Sequence, residues 1–389
     1  MVNISLTQHT PIIHFQGCQK GATLRATELK PKIDKFIVSE LETIDEDIFK
    51  HYKDFINEHN FPLKENTVSA KYKIRISADD SNGRTIFKFA KHISDDEKKN
   101  GIHTLFPAPY FGDSLAVQHD KIELGLFGFN SELTELIEKA MQYVLVYNNF
   151  GTRQGKGFGV FLPKDMTEDV FKKILSKKYP KYWVANGGQK PFGKINKTYQ
   201  LLKSGINHNG YQKSKLFEYM CGQNIRWEKR KIKETLKTNH SNLFKILKHD
   251  TGVHRNDDCD PKFGPNFEYR YIRAMLGLAE HNEYEVKVND KGIDKIQIRI
   301  EDSADKIKRY KSPVMFKVFN NNIYLLPNPV NTIMYDREFT FNIRLKYKDK
   351  SIKDKGVLFK LKTPDKFDLT DFLSEKLSGE WKLEQRGQA

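Results

Sequence analysis

Four glycines in Asn149-Phe150-Gly151-Thr152-Arg153-Gln154-Gly155-Lys156-Gly157-Phe158-Gly159 constrain this chain more than any other stretch. Before them, Glu132–Tyr147 places Leu133, Leu136, Ile137, Ala140, Met141, Val144 and Leu145 on one helical face; after them comes the apolar Val160-Phe161-Leu162. The order predicted is helix, glycine-rich turn, strand. Glycines at this spacing admit positive φ and close backbone approach, and Arg153 and Lys156 add charge suited to phosphate. The segment follows a helix rather than a strand and has no acidic ribose ligand downstream, a poor fit to a dinucleotide fold, and it lacks the GxxxxGK[ST] of a P-loop. A turn that only joins helix to strand can use the same residues.

The neighbouring patterns extend the prediction. Asn3–Thr7 is β-prone and stops at Thr10-Pro11, and Ile33, Phe36, Ile37 and Leu41 have helical spacing. Val68–Ser77 alternates, with Val68, Ala70, Tyr72, Ile74 and Ile76 on one face and Ser69, Lys71, Lys73 and Arg75 on the other; Lys121–Phe129 is a further strand. Strand, helix, two strands, helix and strand suggest a split βαβ arrangement of the ferredoxin-like kind, whose open sheet face is the surface that RNA-recognition modules use.

At 389 residues the chain exceeds one ordinary core. Its middle is distinctive: 15 Lys or Arg stand against 4 Asp or Glu between Lys181 and Asp250, a net +11 of the whole chain's +16. There Asn186–Gln212 reads as a long loop, Phe217–Leu247 as helical, and Arg226–Lys237 as a helix with a basic outer face. Beyond it, Phe267–Leu278 has helical spacing. Strands are expected at Glu283–Val288, Lys295–Glu301, Phe339–Lys346 and Gly356–Lys362, with a hairpin over Pro313–Pro327 turning at Asn320-Asn321-Asn322 and a closing helix at Leu369–Leu377. The fold class expected is α+β: two tandem ferredoxin-like (RRM-like) modules, residues 1–180 and 250–389, with a basic loop and helical insertion at 181–249.

Concentrated positive charge points to a polyanionic partner, nucleic acid first. No apolar run reaches the roughly 20 residues that span a bilayer, and Met1–Phe15 lacks a signal pattern, so no membrane partner and a cytoplasmic location are expected. Cys18, Cys221 and Cys259, odd in number and without a CxxC pair, are expected to be free thiols. His249, His254, Asp257, Asp258, Cys259 and Asp260 are all ligand types but match no established zinc spacing, and a polar loop before the Phe267 helix, capped by Asn266 or Asp260, is the simpler reading; no metal or other cofactor is expected. A metal-independent ribonuclease would need a general base, for which His14, His103, His208 and His254 qualify by residue type alone; Asp79-Asp80, followed by Ser81-Asn82-Gly83, are turn residues. Phe150, Phe158, Tyr182, Trp183, Tyr211 and Trp227 are candidates to stack on unpaired bases, Tyr211 first because of its polar loop.

The glycine-rich segment resembles the loop that follows the second helix of a ferredoxin-like module in the RAMP superfamily, the RNA-binding subunits of CRISPR effectors. Two further segments are similar to the first Cmr-type subunit of type III-B effectors. Leu6-Thr7-Gln8-His9-Thr10-Pro11-Ile12 resembles its Thr-Pro opening strand. Leu24–Asp34 is similar to its Leu-Arg-Pro-Pro-Ser-Ile-Lys-Gly-Ala-Leu-Arg stretch, with Arg25 and Lys30 matching and the serine, glycine and second arginine replaced by Glu28, Pro31 and Asp34. Arg309-Tyr310-Lys311-Ser312-Pro313-Val314-Met315-Phe316-Lys317 resembles its Arg-x-x-Ser-Pro-Leu-x-Phe/Leu-Lys strand. The resemblance implies a noncatalytic subunit that contacts the 3′ portion of crRNA, target RNA or both, beside other Cmr RAMP subunits in a ribonucleoprotein; a RAMP endoribonuclease is the alternative. The RNA-binding residues implied are Arg25, Lys30, Lys32, Gly151, Arg153, Gly155, Lys156, Gly157, Tyr211, Arg309 and Lys311, with no catalytic residue and no metal ligand.

Overall fold

The alternating segment Val2–Gln8 forms the first strand, β1, and turns Leu6 and Gln8 inward. In α1, Ala26–Ser39, residues Leu29, Ile33, Phe36 and Ile37 recur at helical spacing and are buried. Tyr72–Ala78 (β2) and Ile122–Gly128 (β3) follow. The helix α2, Ser131–Tyr147, is capped by Asn130, whose side chain accepts from the Leu133 amide at 3.1 Å. All seven apolar residues expected on its inner face are buried. Phe161–Pro163 (β4) closes the sheet, whose order is β4-β1-β3-β2 with every pair antiparallel. The register sets Ile4 and Ile76 on either side of Leu124, so the inward faces of three strands meet α1 and α2 in one apolar cluster. The structure is a computed structural model describing residues 2–13, 19, 21–57, 60–64, 67–68, 70–78, 83–89, 94–99, 103–105, 115–207, 211–248, 267–279, 281–287, 289 and 292–385.

The chain continues through β5 (Lys181–Asn186), α3 (Pro191–Lys203), α4 (Lys215–Gly222), α5 (Glu228–Asn239), β6 (His281–Glu285) and β7 (Ile293–Asp302). Then come β8 (Val314–Phe319), β9 (Asn322–Pro327), β10 (Glu338–Tyr347), β11 (Ile352–Lys362), α6 (Leu369–Lys376) and β12 (Lys382–Gln385). Two compact units result: residues 1–196, 315–327 and 379–389, and residues 197–314 and 328–378. In the first, a second sheet runs β8-β9-β5-β12, with Trp183 opposite Leu325 and Lys181 opposite Gln385. In the second, an antiparallel sheet runs β6-β7-β10-β11 over a core that includes Ile296, Ile298, Phe339, Phe341 and Ile343, with Ile232 and Leu236 of α5 in the same cluster.

Three local expectations change. Asn186–Gln212 is not a loop: Pro191 opens α3, in which Phe192, Ile195 and Leu202 are buried, a stripe hidden among Gly, Asn and Lys. Phe267–Leu278 is not an α-helix. Glu268–Arg270 is a strand parallel to Ile225–Trp227, and Ile272–Leu276 is a 3-10 turn buried on all sides, so the apolar residues carry no face to read. Cys221 is disulfide-bonded rather than a free thiol, while Cys18 and Cys259 lie outside the described residues.

The hairpin at Asn320-Asn321 is as expected, and its backbone explains the residues chosen: φ is 46° and 62° at the two turn positions, the pair of positive values that a two-residue turn of matching twist needs. An Asn321→Ile substitution should cost about 1–2 kcal/mol in urea denaturation, since a β-branched side chain is strained there, while Asn321→Gly should cost nothing. Equal stability of the two variants would contradict the turn assignment.

Candidate nucleic-acid interface

The glycine-rich loop is built by its own backbone. The Phe150 amide donates to the Gly159 carbonyl at 2.9 Å, the Gly159 amide to Pro11 at 2.9 Å and the Thr152 amide to Ile13 at 2.8 Å, tying the loop to the Thr10-Pro11 segment. Gly159 has φ +69°, and a Cβ there would stand 1.9 Å from the Phe150 carbonyl oxygen. Gly151 (φ +76°) likewise has Ile12 and the Ile13 carbonyl at 2.7 Å from the place of a Cβ. These two glycines are therefore required by close packing within the protein.

Glu28 fills the loop's anion-binding face. Its carboxylate accepts from the Gly151 amide at 3.1 and 3.2 Å and from Gln154 Nε2 at 2.9 Å, with Lys32 Nζ at 3.8 Å. Lys32 also donates to the Asn149 carbonyl at 3.3 Å and lies over the Phe150 ring. Asp34 engages Lys30 in the same way: buried, it accepts from Lys30 Nζ at 2.7 Å, the Tyr72 hydroxyl at 2.8 Å and the Ala70 amide at 3.3 Å. Lys30 donates in addition to the Ala70 carbonyl at 2.9 Å. Glu28 and Asp34 thus hold Lys32 and Lys30 in internal contacts.

Behind the loop lies Lys317 of β8, 0% exposed. Its ammonium donates to the Leu145 carbonyl at 2.9 Å, the Asn148 carbonyl at 2.8 Å and Asn149 Oδ1 at 3.1 Å, three donors on three acceptors at the C-terminal end of α2, where a cation is favoured. Asn149 Nδ2 completes the clamp by donating to the carbonyls of Gln154 (2.7 Å) and Phe316 (2.8 Å), and the Phe316 amide donates to the Gly155 carbonyl at 3.3 Å. Burial, reinforced by the charge of Lys32, pulls the Lys317 pKa well below its ordinary 10.5. His9, packed edge-on against Phe319, is lowered to about 4 by burial and then by the charge of Lys317, so it is neutral at pH 7.

The remaining site residues are dispersed. Arg153 is half-buried at φ 58°, its pKa lowered by burial, and it has no ion pair among the described residues. Lys156 bridges to Phe316, and Gly157 (φ +82°) packs near Ile195 and Val318. Arg25 is the N-cap residue of α1. In the second unit Tyr211 opens the two-residue strand Tyr211–Gln212, while Arg309 and Lys311 are exposed just before β8. The aromatic expectation is corrected: Phe150, Phe158, Tyr182, Trp183 and Trp227 are all buried, and Phe158 stacks on Phe192 at 4.3 Å. Trp227 stacks on Phe217 at 4.6 Å. The sequence could not distinguish core from platform for rings beside basic residues.

Sequence reasoning also missed a buried ion pair of the second unit, Arg273 with Glu228, in which Arg273 further donates to Asn282 at 2.9 Å. Of the histidines weighed as a general base, His103 lies in the strand His103–Leu105, while His14, His208 and His254 are outside the described residues, as are Asp79-Asp80 and the His249–Asp260 cluster. Among the described residues no three His, Cys, Asp or Glu groups could hold a metal, and no helix is long and apolar enough to cross a membrane.

The family model of the Cmr1 N-terminal domain matches residues 1–206, and that of the Cmr1 C-terminal domain matches residues 211–385. Among solved structures, the crystal structure of Cmr1 from Pyrococcus furiosus in its apo form is similar at 10% identity over 85% of this chain and 88% of that one, with a TM-score of 0.33. No curated protein sequence matches the chain.

Replacing Lys317 by Met leaves three buried acceptors without their donor and should destabilise the protein by about 3 kcal/mol. Because the folded pKa is depressed, the unfolded chain binds the proton more tightly, so the parent's stability should climb as pH rises toward 10.5 and the variant should lack that climb. Chemical denaturation at several pH values reads both effects, and an unchanged midpoint with an unchanged pH profile would contradict the clamp.

Proposed function

The chain belongs to the Cmr1 family, and from that premise we propose that, as a subunit of the Cmr complex of type III-B CRISPR systems, it is a noncatalytic RNA-binding component. It contacts the 3′ portion of crRNA, target RNA or both. The observation that carries RNA contact is Arg153: a guanidinium half-removed from water, held at positive φ by a clamped loop, and left without a carboxylate while Lys30 and Lys32 are neutralised. A non-glycine residue at that φ costs roughly 1–2 kcal/mol, so a glycine would be preferred if the side chain had no task. An arginine there offers two parallel donors to a phosphate.

Two tandem ferredoxin-like modules belong to the same proposal, and the sheet orders support it. Each four-stranded sheet of the first unit places its fourth strand beside its first, then its third, then its second: β4-β1-β3-β2 and β12-β5-β9-β8. Each has a helix after its first strand and another before its last, α1 and α2 in one, α3 and α6 in the other. On this topology residues 1–180 form the first module and the second opens at Lys181. The basic segment to residue 249 and the sheet β6-β7-β10-β11 of 250–389 are then carried between the second module's own strands.

Arg153→Gly tests the role directly, because it relieves backbone strain while removing the cation. It should raise stability by about 1 kcal/mol and weaken single-stranded RNA binding, lowering the log–log salt slope by about 0.7, the share of one phosphate. Binding and slope equal to the parent's would remove Arg153 from the interface. Purified protein should leave single-stranded RNA intact with and without divalent metal; cleavage lost on substitution of one histidine would favour the endoribonuclease instead.

A further inference from the structure

The solvent face of the first sheet carries an arrangement that the glycine loop does not explain. On β3 the inward residues Ile122, Leu124 and Leu126 are each 0% exposed, whereas Phe127 points the other way at 39% and Phe129, at the strand's end, is 109% exposed. Gly125 lies two residues before Phe127, where a Cβ would stand 3.0 Å from Phe127 Cε2, so the ring leans along the strand over the glycine. A glycine in a strand interior is unfavourable unless something must come close to the backbone. Here it gives the ring room to lie on the sheet.

The cross-strand neighbours are cationic. Lys73 is opposite Phe127 and Arg75 is opposite Gly125, both exposed on the edge strand β2, and neither has an ion pair among the described residues. Asn3 is opposite Gly125 on the other side. Toward its other end the face carries Glu123, which accepts from Ser5 Oγ at 3.1 Å and has Lys121 Nζ at 3.9 Å, so the unpaired cations stand at the Phe127 end. On the second unit's sheet several cations meet acids, Lys295 with Glu283 at 2.7 Å, Arg299 with Glu301 at 2.8 Å and Lys360 with Glu338 at 3.0 Å, while Lys353 and Lys355 of β11 are exposed beside no exposed ring among the described residues. Among the described residues, unpaired Lys73 and Arg75 beside the exposed Phe127 ring set the first sheet apart.

We propose that this face is a stacking platform for single-stranded RNA, with an unpaired base on the Phe127 ring and the flanking phosphates on Lys73 and Arg75; it rests on the RNA-binding role proposed above and adds a second contact surface to it. The chemistry is that of an aromatic platform in a positive surround, tolerant of base identity because every base has a π-face. A protein partner would be recognised instead by contiguous apolar surface, whereas Phe127 is surrounded by Lys73, Arg75, Asn3 and Gly125.

The test uses the full-length chain and a fluorescein-labelled oligouridylate. Phe127→Leu keeps an apolar side chain but removes the π-face and should weaken binding about tenfold, with the salt slope unchanged because no cation is lost. Phe127→Trp should bind like the parent, and the RNA should quench its added indole emission. Parent-like binding by Phe127→Leu, or no quenching in Phe127→Trp, overturns the platform alone. Failure of the parent itself to bind RNA at low salt overturns the RNA-binding role and the platform together. Parent-like RNA binding by Phe127→Leu with lost co-assembly among Cmr subunits overturns it in favour of a protein-docking face.

Discussion

Lys317 is buried with no ion pair among the described residues, and the shape of the glycine-rich loop depends on that one side chain. Its three donors close the end of α2 and fix Asn149, whose own amide then holds the carbonyls of Gln154 and Phe316. Desolvating a lysine is expensive, and the expense is offset only because all three N–H groups find oxygen and the helix end supplies negative potential. The motif around Ser312-Pro313 and the glycine-rich motif, read separately in the sequence, thus meet through Phe316 and Lys317. The first unit joins them although 168 positions separate Asn149 from Lys317.

Net charge overstates what a polyanion can use. Glu28 and Asp34 draw Lys32 and Lys30 into the protein, and a carboxylate already sits on the Gly151 amide, where a phosphate was expected. In the second unit, the outward cations of the sheet are largely paired. On the first unit, Arg153 at the loop and Lys73 and Arg75 on the sheet face are among the cations that have no ion pair among the described residues. An RNA track assembled from these differs from one assembled by counting lysines: it is narrower and relies on guanidinium and ring geometry more than on bulk attraction.

Elements with a single clear face were legible in the sequence. The α2 stripe, the alternation of β2 and the Asn320-Asn321 turn could be read because each presents one side to solvent and one to the core. The helix α3 was hidden by a polar surface rich in Gly, Asn and Lys, and Ile272–Leu276 by burial on every side. At the site, the glycines, Arg153, Glu28 and Asp34 were visible, but the pairing of the two acids with Lys32 and Lys30 was not. An i,i+4 pair such as Lys30–Asp34 is a local signal, yet its third partner, Tyr72, lies 38 residues away. The aromatic residues mislead for the same reason, since position beside lysines in sequence does not place a ring on the surface.

The central claim is that the clamped glycine-rich loop of this Cmr1-family chain presents Arg153 to RNA. Ultraviolet crosslinking of the assembled effector with its crRNA and a bound target, followed by mass spectrometry of the RNA-linked peptides, examines that directly. The account predicts crosslinked peptides that include residues 151–159. Crosslinks confined to other segments, with the loop peptide recovered free of RNA, would contradict it.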